Sequence, residues 1–165
     1  PGQGVAWPRV VAAAREVGER LDAAGLKSFL KTTGGKGLHV VVPLDPAVPW
    51  PVAKEFSRAL ASRMARAAPD RFTATLSKAA RAGRIFIDYL RNQRGSTSVA
   101  PYSVRARPGA PVSMPIAWRA LDGRLRPDGF KCRDALRART DPWAAFFTTM
   151  QTSDRRTVER LAGGS

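Results

Sequence analysis

Three groups of residues in this chain have the types and spacing to do chemistry. The first is Lys31-Thr32-Thr33-Gly34-Gly35-Lys36-Gly37-Leu38-His39-Val40-Val41-Val42, a glycine-rich turn between strand-like segments, followed at once by the only histidine. Gly34, Gly35 and Gly37 let backbone N–H groups converge on an anion, and Thr33 and Lys36 add a hydroxyl and a charge. The spacing is neither the Walker A GxxxxGK[ST] nor GxGxxG, and a tight hairpin turn with positive φ accounts for the glycines equally well. His39 lies in an apolar strand, where a lone histidine is more often a satisfied core residue. Beside a triphosphate held by the turn, it would instead donate a hydrogen bond to it.

The second group, Arg84-Ile85-Phe86-Ile87-Asp88-Tyr89-Leu90-Arg91-Asn92, puts a carboxylate at the end of an apolar run. An acid ending a buried strand is costly unless it is paired or metal-bound. The structural alternative pairs Asp88 with Arg91 or Arg84; the functional one makes it a ligand for Mg²⁺ or Mn²⁺, hard cations that take carboxylate oxygens. One carboxylate is not a two-metal site, and the neighbouring sequence offers no second; Asp45 reads as a turn residue. The third group is Arg91, Arg94, Arg105 and Arg107. Arginine clamps stabilise charge on a transferring phosphoryl group, whereas a solvated basic face is the plain alternative. Ser103 has no adjacent acid–base pair and Cys132 no activating partner, so nucleophilic catalysis has little support. The tryptophans at 7, 50, 118 and 143 stand near helix starts and read as packing anchors rather than base-stacking platforms.

Elements must position these groups. Trp7-Pro8 opens a helix with Val10, Ala14, Val17 and Leu21 on one face and Gly25 as its cap. Leu26–Lys31 and Leu38–Val42 read as strands joined by the glycine turn into an antiparallel hairpin. Trp50-Pro51 opens a second helix, with Val52, Phe56, Leu60 and Met64 buried, and Pro69-Asp70 stops it. Ser77–Arg81 reads as a helical turn, Arg84–Tyr89 as a strand, and Asn92–Ser98 as a polar loop. Tyr102–Arg107 alternates so that a strand would carry Arg105 and Arg107 on one face. Ala117–Leu121 reads as a helical turn, and Asp141-Pro142-Trp143 starts a helix running to about Met150. The expected domain is 1–150, with 151–165 a polar, frayed tail.

Composition narrows the partners. A chain of 165 residues, 44% hydrophobic and 25% charged, is long enough for one domain with its own core. With 28 Lys+Arg against 13 Asp+Glu, the net charge of +15 favours a polyanion. Nucleic acid stands ahead of an acidic membrane surface, because the basic residues are spread out rather than blocked. A lone Cys132 and a lone His39 exclude an internal disulfide and a Cys/His metal cluster, which fits a reducing cytosol. No apolar run reaches the ~20 residues of a membrane span, and the start Pro1-Gly2-Gln3-Gly4 is no signal peptide. Lacking an initiating methionine, the chain is expected to begin inside a longer protein.

With these sites in hand, the chain strongly resembles the polymerase domain of bacterial DNA ligase D, a branch of the archaeo-eukaryotic primase superfamily that serves non-homologous end joining. The segments that carry the resemblance are Leu30 to Pro43, Arg84 to Asn92, and Ala100-Pro101-Tyr102-Ser103-Val104-Arg105-Ala106-Arg107-Pro108-Gly109-Ala110-Pro111-Val112-Ser113. It runs from Pro1 to about Trp143. It implies an α/β fold, a primase-type polymerase core with a mostly antiparallel sheet and helices packed on one face. It also implies template-directed addition of nucleotides, ribonucleotides preferred, to DNA ends and gaps, with Mn²⁺ or Mg²⁺ as cofactor. Thr33, Lys36 and His39 would bind the triphosphate, His39 and Asp88 would be catalytic, and Asp88 would be the third metal carboxylate. Arg91 and Arg105 would contact the nucleotide, while Arg94 and Arg107 are possible DNA or nucleotide contacts. Implied partners are nucleoside triphosphates, primer-template DNA, a ligase and a Ku-type end-binding protein, in the bacterial cytoplasm at the nucleoid. In the family the first two metal carboxylates form an Asp-x-Asp motif followed by Pro-Gly; this chain opens on Pro1-Gly2, so the motif and the N-terminal half are expected to lie upstream. The rival readings are a non-catalytic nucleic-acid-binding module and a primase that starts chains de novo.

Overall fold

Proline in the first turn and a turn glycine just past the last set the first long helix, α1, Trp7–Ala23. Gly25 takes φ +80, and the Gly25 N–H→Asp22 O (2.8 Å) and Leu26 N–H→Leu21 O (2.9 Å) bonds close a Schellman cap with Leu21 and Leu26 both buried. The computed structural model describes residues 1–77, 79–152 and 157. Strands β1 (Phe29–Thr32) and β2 (Leu38–Val41) pair antiparallel, with Lys31 opposite His39 and Thr32 opposite Leu38. Helix α2, Trp50–Ala67, follows, again with proline in its first turn, burying Phe56, Leu60, Ala61 and Met64. Then come β3 (Phe72–Thr73), a 3-10 turn at Ala79–Arg81, β4 (Ile85–Phe86), β5 (Pro115–Ile116), a second 3-10 turn at Trp118–Ala120, and a short helix α3, Cys132–Arg137.

The strands form two sheets: a three-stranded antiparallel one in the order β2-β1-β5, and a parallel pair β3-β4. Alternation along β1 sorts the first sheet. Leu30, in register with Val40 and Ile116, packs on Val11 and Ala14 of α1 and on Leu121. Phe29, Lys31 and His39 belong to the opposite face. There Phe29 meets the rings of Trp143 and Phe146 edge-on, at centroid distances of 5.9 and 5.3 Å. Helix α2 builds the other core cluster, where Phe56, Leu60 and Met64 join Leu21 and Leu26 with Phe72 and Ile85 of the small sheet. The architecture is the expected α/β one with a mostly antiparallel sheet.

Several elements differ from expectation. The strand expected over Arg84–Tyr89 keeps ladder pairing only at Ile85–Phe86, and Asp88 is exposed, so it carries no burial cost. The strand expected over Tyr102–Arg107 shrinks to one bridge, Val104 with Val112, because Tyr102 takes φ 61 and breaks the extended run. Asp141–Met150 forms successive turns rather than a helix. Asp141 Oδ1 accepts the Trp143 N–H at 2.9 Å, and the Trp143 indole N–H reaches Leu30 O at 2.9 Å, so side-chain bonds set the path. Trp50 is 56% exposed rather than a packing anchor. Gln151 is tied down: its side chain bonds Lys27 N–H, Lys27 O and Pro43 O, and its carbonyl takes the Asp45 N–H. The rest of the expected frayed tail, apart from Thr152 and the buried Thr157, lies outside the described residues. No helix among the described residues is long and apolar enough to cross a membrane.

Candidate nucleotide-binding cleft

The five residues Thr33–Gly37 link β1 to β2, and Thr33 closes them: its N–H and hydroxyl both reach Gly37 O, at 3.2 and 3.0 Å, and its Oγ1 accepts the Gly37 N–H at 3.3 Å. Gly34 sits at φ +62, and a Cβ there would lie 2.6 Å from Arg105 Cγ. Glycine at this position therefore serves both the turn and the close approach of an arginine. Arg105 lies across the turn and donates from Nη1 to Thr33 O at 3.2 Å, while a Cβ on Gly35 would lie 3.5 Å from Arg107 Cζ. Arg105 and Arg107 thus meet at the turn, although no strand aligns them. Their segment folds back on itself through Arg105 N–H→Pro111 O (2.8 Å) and Ser113 N–H→Ser103 O (2.9 Å). Lys36 projects from the turn, exposed.

Beside the turn opens a cleft of about 540 Å³ lined by Thr33, Gly37, His39, Asp88, Arg91 and Pro1, with an apolar floor from α1 and α2. His39 is half-buried in it, and its pKa falls from 6.5 to about 4. Burial is the main cause; the charges of Lys31, Arg105 and Arg91 add to it, and Asp88 alone opposes them. At neutral pH the imidazole is uncharged, with one N–H to donate and one nitrogen to accept. Asp88 accepts the Leu90 N–H on Oδ1 at 3.1 Å, and Oδ2 faces Arg91 Nε at 3.8 Å, a loose and exposed ion pair. Arg91 also donates to Thr97 O at 3.0 Å, bracing the 91–98 loop. The structure therefore brings Thr33, His39, Asp88 and Arg91 together on the cleft, and sets Arg105 and Arg107 against the glycine turn beside it. Arg94 is exposed on its loop and does not line the cleft.

The chemistry of Asp88 suits a hard cation; the number of ligands does not. Among the described residues no group of three His, Cys, Asp or Glu side chains could hold a metal ion, so these residues alone do not build a two-cation site. One residue behind the glycine turn escaped sequence reasoning: Lys31, paired across the sheet with His39 and 3% exposed, whose Nζ donates to Val99 O at 2.8 Å and Ser113 Oγ at 2.9 Å. The hairpin was expected, but the pairing of Thr32 with Leu38, which leaves a five-residue connection and sets Lys31 directly across from His39, is seen only in the structure.

The cleft can be compared with known proteins. A family model described as LigD, primase-polymerase domain, matches residues 1–143. Over 170 residues the chain is 41% identical to a multifunctional non-homologous end joining protein LigD of Pseudomonas aeruginosa, covering 99% of this chain and 20% of that protein. It is 31% identical over 118 residues to a bifunctional LigD of Bacillus subtilis, covering 71% of this chain and 19% of that protein. The chain thus spans about a fifth of the length of these relatives. Among solved structures it resembles the polymerase domain of Mycobacterium tuberculosis ligase D in complex with DNA, with a TM-score of 0.73 and 38% identity over 76% of this chain and 44% of that one. The fold, the glycine-turn cleft and these likenesses agree: the chain belongs to the LigD primase-polymerase domain family.

Proposed function

We propose that this chain is the part of a DNA-directed nucleotidyltransferase that receives the incoming nucleoside triphosphate, within a protein of bacterial non-homologous end joining. The observation that carries the reading is the convergence of an uncharged His39, Asp88 and Arg91 on one cleft beside the glycine turn, across which Arg105 lies. Arg105 and Arg91 would bind phosphate oxygens, with Lys36 adding charge from the turn. His39, uncharged, would donate a hydrogen bond to the triphosphate without bringing a second proton to be lost. Thr33 would hold the turn and offer its hydroxyl, with Arg94 and Arg107 toward the DNA or the nucleotide. Asp88 would give one carboxylate to Mn²⁺ or Mg²⁺, whose chemistry is to stabilise the charge of the reacting phosphates. The +15 charge suits a DNA partner. Preference for ribonucleotides, a linked ligase, a Ku-type partner and a place at the bacterial nucleoid come with the same reading.

The remaining carboxylates would come from residues preceding Pro1. Support comes from how the start of the chain is held. Gly2 N–H donates to Arg84 O at 3.0 Å and Gly83 N–H to Gln3 O at 3.1 Å, fastening the start of the chain beside β4. Pro1 itself lines the cleft together with His39 and Asp88. A Cβ on Gly2 would lie 1.7 Å from Arg81 O, so only glycine passes there. An Asp-x-Asp just upstream would then face Asp88 and His39. The test is Mn²⁺-dependent primer extension by a chain that includes the preceding residues, against the same chain with Asp88→Ala. Extension lost on Asp88→Ala with DNA affinity kept supports the reading. Equal loss of both makes Asp88 structural and overturns it. Omitting the primer separates polymerase from primase. For residues 1–165 alone the single carboxylate favours a second reading, a binding module without catalysis.

A further inference from the structure

Lys31 is buried with no acid beside it. None of the ion pairs among the described residues includes it, and its neighbours across the sheet and the turn are His39 and Arg105. Burial, aided by the Arg105 charge, pushes its ammonium from 10.5 down to about 8. A neutral donor would make the same bonds without that desolvation cost, so the position of those bonds matters. Val99, one acceptor, follows the loop that begins at Arg91; Ser113, the other, lies on the return arm of the segment that carries Arg105. One ammonium therefore ties both arginine-bearing segments to the strand that enters the glycine turn. The join continues through wholly buried neighbours. Ser113 Oγ donates to Thr32 O at 2.8 Å, and Thr32 Oγ1 accepts the Met114 N–H at 2.9 Å and donates to Val112 O at 3.3 Å.

We propose that Lys31 is a positioning residue of the triphosphate site, which holds the Arg105 segment in register with the glycine turn so that its guanidinium meets the phosphates already oriented. This rests on reading the cleft as a triphosphate site. A residue that acts through Arg105 must lose its effect when Arg105 is gone, whereas one that only stabilises the fold loses nothing. The experiment is a calorimetric titration with ATP and Mg²⁺ of a chain that includes the residues preceding Pro1, using wild type, Lys31→Met, Arg105→Ala and the double variant, with thermal melting of each. Lys31→Met is expected to weaken ATP binding roughly tenfold when Arg105 is present. In the Arg105→Ala background it should weaken binding by less than about twofold. Ser113→Ala, which removes one acceptor and leaves the lysine, should show the same dependence on Arg105 at smaller size and serves if Lys31→Met does not fold. Equal losses in the two backgrounds, or a lower melting temperature with unchanged ATP affinity, overturn the proposal. No ATP binding by wild type brings down the triphosphate reading and this proposal with it. Wild-type binding with additive losses brings down this proposal alone.

Discussion

At the scale of single residues, His39 is the most exposed to test. In a chain that includes the residues preceding Pro1, His39→Ala should weaken nucleotide binding by roughly 1–3 kcal/mol, the worth of one charge-assisted hydrogen bond. The slope of log DNA affinity against log salt should not change, because no DNA phosphate contact is lost. Paired nucleotide and DNA titrations check this; unchanged nucleotide handling with a lower melting temperature would return His39 to the core. The lowered pKa also fixes a sign. The unfolded chain holds the His39 proton up to about pH 6.5, the folded chain only to about pH 4. Between those values the unfolded state binds more protons, so stability rises with pH through that window and is complete above it. Urea unfolding from pH 4 to 7 should show the slope in wild type, amounting to at most about 3 kcal/mol, and a flatter one in His39→Phe. Much of the site was legible in the sequence at this scale, since the glycine turn, His39, Asp88, Arg91 and Arg105 are all named by type and spacing. Lys31 was not, because nothing in a lysine's type says that its charge is buried; that depends on Val99 and Ser113, distant in sequence.

At the scale of elements, what repeats with a period is what the sequence announces. Because proline, glycine and apolar spacing act locally, both long helices begin at their Trp-Pro and the antiparallel hairpin forms as expected, although its first strand is Phe29–Thr32 rather than Leu26–Lys31. The short strands β3, β4 and β5 have two residues each, too few to show alternation. The 102–113 segment carries a pattern of period two yet turns at Tyr102, its path set by bonds to Ser113 and Pro111. The glycine turn gives the sharpest test. Gly34→Ala adds a methyl where φ is positive and Arg105 Cγ would be 2.6 Å away. It should destabilise the fold by about 1–3 kcal/mol and also displace Arg105, weakening ATP binding. Met64→Ala, in the fully buried face of α2, is the control. It should cost about 2–5 kcal/mol yet leave ATP affinity intact wherever the variant remains folded. If the two variants lose ATP affinity alike at equal stability, the turn has no special tie to the site.

At the scale of the whole molecule, charge and chemistry separate. A net charge of +15 with basic residues spread along the chain should make the proposed DNA binding salt-dependent and largely indifferent to sequence. Titrations from low to high salt on unrelated duplexes should give parallel lines; a strong preference for one sequence would contradict this. Residues 1–165 alone should not extend a primed template with Mn²⁺, because the described residues contribute one carboxylate where in-line attack between two cations needs more. Robust extension by this chain would show that the missing ligands are not needed. The chain covers 44% of the ligase D polymerase domain it resembles.

The bonds made by Trp143 and Gln151 bear on how the chain comes into being. Trp143 pins the carbonyl of Leu30, and Gln151 clamps Lys27, Pro43 and Asp45, the outer ends of the glycine-turn hairpin. A ribosome making this polypeptide releases the hairpin long before the residues that seal it. The cleft should therefore be assembled only after residues 143–151 have emerged, and contacts of such long sequence separation fold slowly. Nascent chains arrested with Thr140 just outside the exit tunnel should be cut readily by protease within the 27–45 hairpin, and those arrested with Thr152 outside should resist. Protection already present at Thr140 would show that the hairpin closes without its distant clasp.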